Sequence, residues 1–411
     1  MTLVLKTLQE CGSLNNKAVL LRVDLNVPMH HGRVEDATRI EKLKPTFDYL
    51  LDQGAKIIVV SHFGRPKGEF DRDLSLAPIA DVLADVLNHE VKFAVDCIGD
   101  AAKEAVDGLE SGDILLLENV RFHGGEKAND PEFSKELASY ADVFVNDTFS
   151  CSHRAHASIV GVAEHLPSAA GLLLQEEISS IESVLDNPKT PMTVITGGAK
   201  VSTKLALLQN LMKKADHLVI GGAMANTFLK AKGHPIGVSL YEPELVDKAR
   251  EILEQSKKCD CNIILPSQVV VASKLEQRAE NSICDVDDVP NDGMILDIGP
   301  MAVQAIEAVL ASSSTVVWNG PMGAFEYKPF DAASVAIARS IAYLTGKGKI
   351  TSLAGGGDVV ATIKSSGLAA HFSYISTAGG AFLEWLEGKE LPGVAVLVSK
   401  EGADAKKVVN S

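Results

Sequence analysis

The chain has no apolar stretch approaching the roughly 18 to 20 residues needed to cross a bilayer, and its first ten residues lack both the charged start and the apolar segment of a secretory signal. A soluble, cytoplasmic protein is therefore expected. Its six cysteines, Cys11, Cys97, Cys151, Cys259, Cys261 and Cys284, include no Cys-x-x-Cys pair and have no histidine partner at zinc-finger spacing. Free thiols are expected, in place of a disulfide framework or a metal site. Positive charge is also scarce, with 39 Lys and Arg against 54 Asp and Glu and a formal net charge of −15. This argues against nucleic acid and membrane as partners, because both call for a basic surface. It does not exclude small anions, which a negative protein binds when its cationic groups gather in one cleft. Two nucleotide signatures are missing as well: there is no GxxxxGK[ST] loop and no clean GxGxxG fingerprint. The second absence disfavours a dehydrogenase.

What is present is a pattern of short β-branched runs ending in Gly, Asn or Asp, each followed by an amphipathic stretch, as in strand–loop–helix units with a parallel sheet. At 411 residues, with 46% hydrophobic and 23% charged content, the whole chain should fold, as two or three domains. Candidate strands lie at 19–27, 56–61, 91–95, 114–119 and 143–146 in the first half. In the second half they lie at 193–196, 217–221, 262–265, 294–298, 315–318, 350–354 and 374–377. The natural partition is α/β, two Rossmann-like lobes, each a roughly six-stranded parallel sheet flanked by helices. Residues 171–187 carry apolar residues at helical spacing and stop before Pro188, so they read as an interdomain helix between a lobe at 1–170 and one at 188–389. The apolar tail 391–398 is too short to fold alone and must pack on a completed lobe.

Five arginines of the first half, Arg22, Arg39, Arg65, Arg121 and Arg154, stand at or beside predicted strand ends. In open α/β sheets ligands collect at the carboxyl ends of the strands, so these side chains are expected to converge. The loop VDLNVP adds Asp24 and Asn26, SHFGRP adds His62, Phe63, Gly64 and Arg65, and HRAH adds His153, Arg154 and His156. Guanidinium groups grip carboxylate or phosphate through two parallel hydrogen bonds, which points to a small polyanion. Any one of the arginines alone could equally cover apolar surface or make a surface ion pair. For His62 an orienting hydrogen bond is preferred to a role as phosphate-accepting nucleophile, since no paired carboxylate motif accompanies it. His153 and His156 lack an HExxH-like context for a metal.

The second half offers separate glycine turns: Gly197-Gly198, Gly221-Gly222, Asn319-Gly320, Gly355-Gly356-Gly357 and Gly379-Gly380. Each is expected to open a helix or the approach to one, where backbone N–H groups and the helix dipole favour phosphate. In GGAKVSTK, Lys200 and Lys204 are four apart and are expected on one helix face. Asp358 is placed to reach a Mg²⁺ on the nucleotide phosphates, to cap the next helix, or to do both at once.

With RVDLNVP at 22–28, SHFGRP at 61–66, LENVRFH at 117–123, HRAHAS at 153–158, GGAKV at 197–201, WNGPMGAFE at 318–326, GGGD at 355–358 and LEGKELPGV at 386–394, the chain resembles phosphoglycerate kinase along nearly its whole length. The resemblance implies a hinge between the lobes, a tail at 390–411 returning to the first lobe, and a monomer. It also implies reversible transfer between 1,3-bisphosphoglycerate and ADP, giving 3-phosphoglycerate and ATP, with Mg²⁺ on the nucleotide. Under it Asp24, Asn26, Arg39, His62, Phe63, Gly64, Arg65, Arg121 and Arg154 bind the phosphoglycerate. Lys200, Lys204, Asn319, Glu326, Gly355, Gly356, Gly357 and Asp358 serve the nucleotide, Arg39 and Lys200 form the transition-state pair, and Arg22 is structural. Three departures stand out: Val359 where the family often has Thr, Ala378 where a third glycine is common, and Cys151 within NDTFSCSHRAH. A non-catalytic metabolite-binding protein of the same fold is the competing reading, and it would not need both Arg39 and Lys200.

Overall fold

The computed structural model describes residues 3–30, 32–185 and 188–399. The chain divides into two compact units, Met1–Ser179 with Glu390–Ser411, and Ser180–Lys389. The division falls inside the helix Leu172–Leu185, which occupies most of the stretch expected to be an interdomain helix; positions 186 and 187 lie outside the described residues.

In the first unit six strands form a parallel sheet in the order Val91–Ala94, Ile114–Leu117, Lys56–Val60, Ala18–Arg22, Val143–Asn146, Ser168–Ala170. The inner strands KIIVV, ILLL and VFVN are buried almost throughout, as expected of a sheet covered on both faces. Helices are punctuated by local chemistry: Asp130 caps Pro131–Ala138 by accepting from the Phe133 N–H, and Asn88 ends Ala77–Leu87 in the left-handed conformation. The tail 391–398 packs within this unit. Gly393 N donates to Ser152 O at 2.8 Å, and Val398 bridges to Leu5. Positions 400–411 lie outside the described residues.

The second unit has its own six-stranded parallel sheet, in the order Asn262–Ile264, His217–Ile220, Met192–Thr196, Thr315–Asn319, Thr351–Gly355, Tyr374–Ser376. Trp318, fully buried, sits in a core with Ile195, Ile337, Ala354 and Val359.

Several strand expectations need correction. The run 19–27 ends as a strand at Arg22; beyond it Leu25 N turns to the Ser61 hydroxyl at 2.9 Å, so the backbone leaves the ladder. The run 294–298 is a strand, but it pairs antiparallel with Gln268–Ala272 in a separate three-stranded sheet completed by Asn281–Asp285. Ser168–Ala170 is a sheet strand with no β-branched residue at all, fixed by pairing with Val143–Asn146.

Candidate active site

In the first unit parallel register sets Arg22 level with Val60 on one side and Asn146 on the other, so the loops following these three strands emerge together. They bring Asp24, Asn26, Arg39 and Gly64 together, with Arg121 joining from the turn after Ile114–Leu117. Arg39 Nη1 donates to Asp24 Oδ2 at 2.9 Å and to the Asn26 carbonyl at 2.7 Å. Asn26 in turn accepts from Gly64 N at 2.9 Å through its side chain, and Arg121 Nη1 donates to Gly64 O at 2.9 Å. The Ser150 hydroxyl also donates to Asp24, a contact that the motif reading missed because Ser150 carries no signal of its own. Burial alone would push the Asp24 carboxyl up, but the Arg39 guanidinium and these donors hold it below its ordinary range. Arg39 is thereby aimed by a fixed carboxylate.

His62 is buried and accepts at Nδ1 from Arg22 Nη2 at 3.1 Å. Burial, reinforced by the Arg22 charge, pushes its imidazole down to about 3, so the ring is neutral with its proton on Nε2. A neutral donor of this kind orients a ligand oxygen; it is poorly suited to hold a phosphoryl group as a nucleophile. Arg22 itself is wholly buried and spends its donors internally, on Val23 O, Ser158 Oγ and His62. Its counter-charge comes through Ser158 Oγ, which donates to Glu126 Oε1 at 2.8 Å, with His156 Nδ1 3.5 Å from the same oxygen. Glu126 and Ser158 were not singled out from the sequence. Arg121 keeps a buried Nε with no partner among the described residues, as a ligand-facing donor would. Arg65 and Arg154 are exposed, and Phe63 is buried, donating its N–H to Asn119 Oδ1 at 3.2 Å.

In the second unit the ends of Met192–Thr196, Thr315–Asn319 and Thr351–Gly355 are level: Thr196 pairs with Asn319, and Asn319 with Gly355. Asn319 Nδ2 donates to Gly355 O at 2.9 Å, while Lys204 Nζ donates to the Asn319 side-chain oxygen and, at 3.1 Å, to its carbonyl. Burial pushes the Lys204 ammonium down to about 8. The glycines here permit close backbone contact: a Cβ on Gly197 would overlap the Pro321 carbonyl oxygen, and Gly222 N donates to Met322 O at 2.8 Å.

The expected common helix face for Lys200 and Lys204 is not observed. Residues 197–204 form bends and turns, Gly198 sits at φ +124°, and the helix starts only at Leu205 with Lys204 as its N-cap. Lys204 is consequently drawn toward Asn319, whereas the Lys200 side chain is exposed and makes no hydrogen bond among the described residues. Nor does every glycine turn open a helix. Gly222, Gly357 and Gly380 begin helices, but Asn319-Gly320 leads into an irregular segment.

A cavity of about 260 Å³ opens within this unit. Its lining includes Gly198, Glu326 and Asp358 together with the apolar Leu240, Leu275, Leu296 and Phe325. Asp358 lies in the first turn of Gly357–Ser365, whose N-cap is Gly356, so the capping role considered for Asp358 falls to the glycine and its exposed carboxylate faces the cavity. Val359 points the other way, fully buried in the core, so the departure at that position alters packing and leaves the cavity wall unchanged. The apolar wall escaped sequence reading because it draws on the unpredicted antiparallel sheet and on leucines without periodicity.

A model of the family described as phosphoglycerate kinase matches residues 8–389. A phosphoglycerate kinase from Rhizobium leguminosarum is 54% identical over 392 residues, covering 95% of this chain and 98% of that protein. The solved phosphoglycerate kinase of Coxiella burnetii superposes with a TM-score of 0.87 at 40% identity, over 96% of this chain and 98% of the other. That of Pyrococcus horikoshii gives 0.81 at 30% identity, over 98% and 100%. The match runs nearly end to end over two parallel six-stranded α/β units, and the chain belongs to the phosphoglycerate kinase family.

Proposed function

We propose that the chain carries out the reversible transfer of a phosphoryl group between 1,3-bisphosphoglycerate and ADP, giving 3-phosphoglycerate and ATP. The observation that carries this reading is the fixed Asp24–Arg39 pair, with Arg39 Nη1 locked at 2.9 Å, beside Arg121, whose Nε has no partner among the described residues. In the ATP-consuming direction the attacking atom is a carboxylate oxygen that is already ionised, so no general base is needed and catalysis reduces to alignment and charge neutralisation. A neutral His62 and a surround of arginines suit that demand.

Asp24, Asn26, Phe63, Gly64, Arg65, Arg121 and Arg154 are assigned to holding the phosphoglycerate, with His62 donating from Nε2. On the nucleotide side the apolar wall would take the base, Glu326 the ribose, and the amides at Gly355, Gly356 and Gly357 the phosphates at a helix start. Lys204 and Asn319 brace that loop. Arg39 and Lys200 neutralise the charge that spreads over the migrating group. The exposed Asp358 carboxylate fits Mg²⁺, which takes only one or two protein carboxylates, and the ion would supply charge neutralisation on the phosphates.

The test is a coupled assay. With ATP, 3-phosphoglycerate and glyceraldehyde-phosphate dehydrogenase, NADH should be consumed only when all components are present. Absence of turnover by folded protein that still binds ADP would reduce the chain to a binding protein.

A further inference from the structure

Among the described residues two groups bring carboxylate, imidazole and thiol atoms within 4.8 Å of one another: Asp24, His62 and Cys151, and Asp96, Cys97 and His123. The first lies among cations, with Arg39 on Asp24 and Arg22 on His62, so an added metal ion would face guanidinium charge. The second has the opposite surroundings. Asp96 and Cys97 stand in the loop between the strand Val91–Ala94 and the helix Gly99–Asp107, and His123 closes the short turn Val120–Phe122. The charges acting on the Cys97 thiol are the carboxylates of Asp96, Glu126 and Glu118.

The Cys97 sulfur is buried and makes no hydrogen bond among the described residues. Asp96 Oδ1 accepts from the Cys97 N–H at 2.7 Å and faces His123 Nε2 at 2.7 Å. The His123 ring packs on Phe133 with centroids 5.5 Å apart, which limits its rotation. The side chains of Asp96 and His123 retain 45% and 30% exposure, enough for an ion to enter and for solvent to provide a further ligand.

We propose that Asp96, Cys97 and His123 form a binding site for a borderline or soft divalent cation, with Zn²⁺ as the best match. Zn²⁺ takes thiolate, imidazole and carboxylate at about 2.0–2.3 Å, which sets tetrahedral ligand atoms about 3.3 to 3.6 Å apart. Side-chain rotation would bring the three atoms, now within 4.8 Å of one another, to that spacing and open the 2.7 Å Asp96–His123 contact. On binding, the Cys97 S–H bond breaks, its proton passes to solvent and a metal–sulfur bond forms; the His123 proton resides on Nδ1 so that Nε2 coordinates, and Asp96 binds as the carboxylate. Mg²⁺ is no competitor, because it prefers oxygen ligands. An ion here ties the loop around Cys97 to the turn that carries Arg121.

The experiment titrates reduced, metal-free full-length protein with Co²⁺ and follows the thiolate-to-cobalt absorption. The band should saturate at one equivalent, vanish on adding Zn²⁺, be absent in Cys97→Ser and be weakened in His123→Gln, yet persist in Cys151→Ser and Cys261→Ser. Zn²⁺ should also raise the melting temperature of the wild type and leave that of His123→Gln nearly unmoved, since a ligand specific to the folded state stabilises by mass action. His123→Gln, at a partly exposed position, keeps the test decisive if Cys97→Ser fails to fold. No band, or one that survives loss of His123 and disappears with Cys151 or Cys261, overturns the proposal.

Discussion

At the scale of single residues, protonation makes the sharpest statements. His62 is held near 3 in the folded chain against about 6.5 unfolded, so between those values the unfolded state binds the extra proton. Stability therefore drops as pH falls from about 6.5 toward about 3 through this group. Urea melts of His62→Gln should show a shallower loss over that window than the wild type; identical slopes would contradict the buried neutral ring. Lys204 behaves differently, since it is charged below about 8 and its charged form braces Asn319. The kcat/KM for nucleotide should decline above that pH, and a profile flat through it would remove Lys204 from the account. These environments were not legible in the motifs. SHFGRP and GGAKVSTK marked His62 and Lys204, but burial in the folded chain is what shifts both groups, and their hydrogen-bond partners Arg22 and Asn319 lie 40 and 115 positions away.

At the scale of elements, the glycine turns are packing devices as much as ligand sites. Gly197→Ala would drive a methyl into the Pro321 carbonyl, parting the two loops that wall the cavity. Overpacking of this kind costs about 1–3 kcal/mol, so a lower melting temperature should accompany weaker ADP binding in calorimetry. Unchanged affinity would mean that the turn does not shape the cavity. Strands with a continuous apolar run, such as KIIVV and ILLL, could be read from the sequence because both faces are buried. Ser168–Ala170 and Asn281–Asp285 could not, since small residues in one and an exposed edge in the other erase the pattern. The helix face expected for Lys200 and Lys204 failed for a similar reason: spacing of four implies a shared face only where the backbone is helical, and Gly198 is in a conformation that L side chains rarely adopt.

At the scale of the whole molecule, the alternation of strands and helices disclosed two parallel sheets of six, while the antiparallel sheet that lines part of the cavity stayed hidden. Arg22 was visible at its strand end, but Arg39 lies in the helix Thr38–Glu41, and what aims it, the Asp24 carboxylate fixed in turn by Ser150, appears only in three dimensions. The proposed function rests on Arg39 and Lys200 as the groups that neutralise charge on the migrating phosphoryl group. The most direct measurement is kcat for Arg39→Ala and Lys200→Ala in the ATP-consuming direction, alongside calorimetric ADP affinity. Loss of transition-state charge stabilisation predicts that each kcat falls by about 10²–10³, with ADP affinity of Arg39→Ala unchanged. Turnover by Arg39→Ala within about tenfold of wild type, a barrier change of no more than ~1.4 kcal/mol, would contradict it.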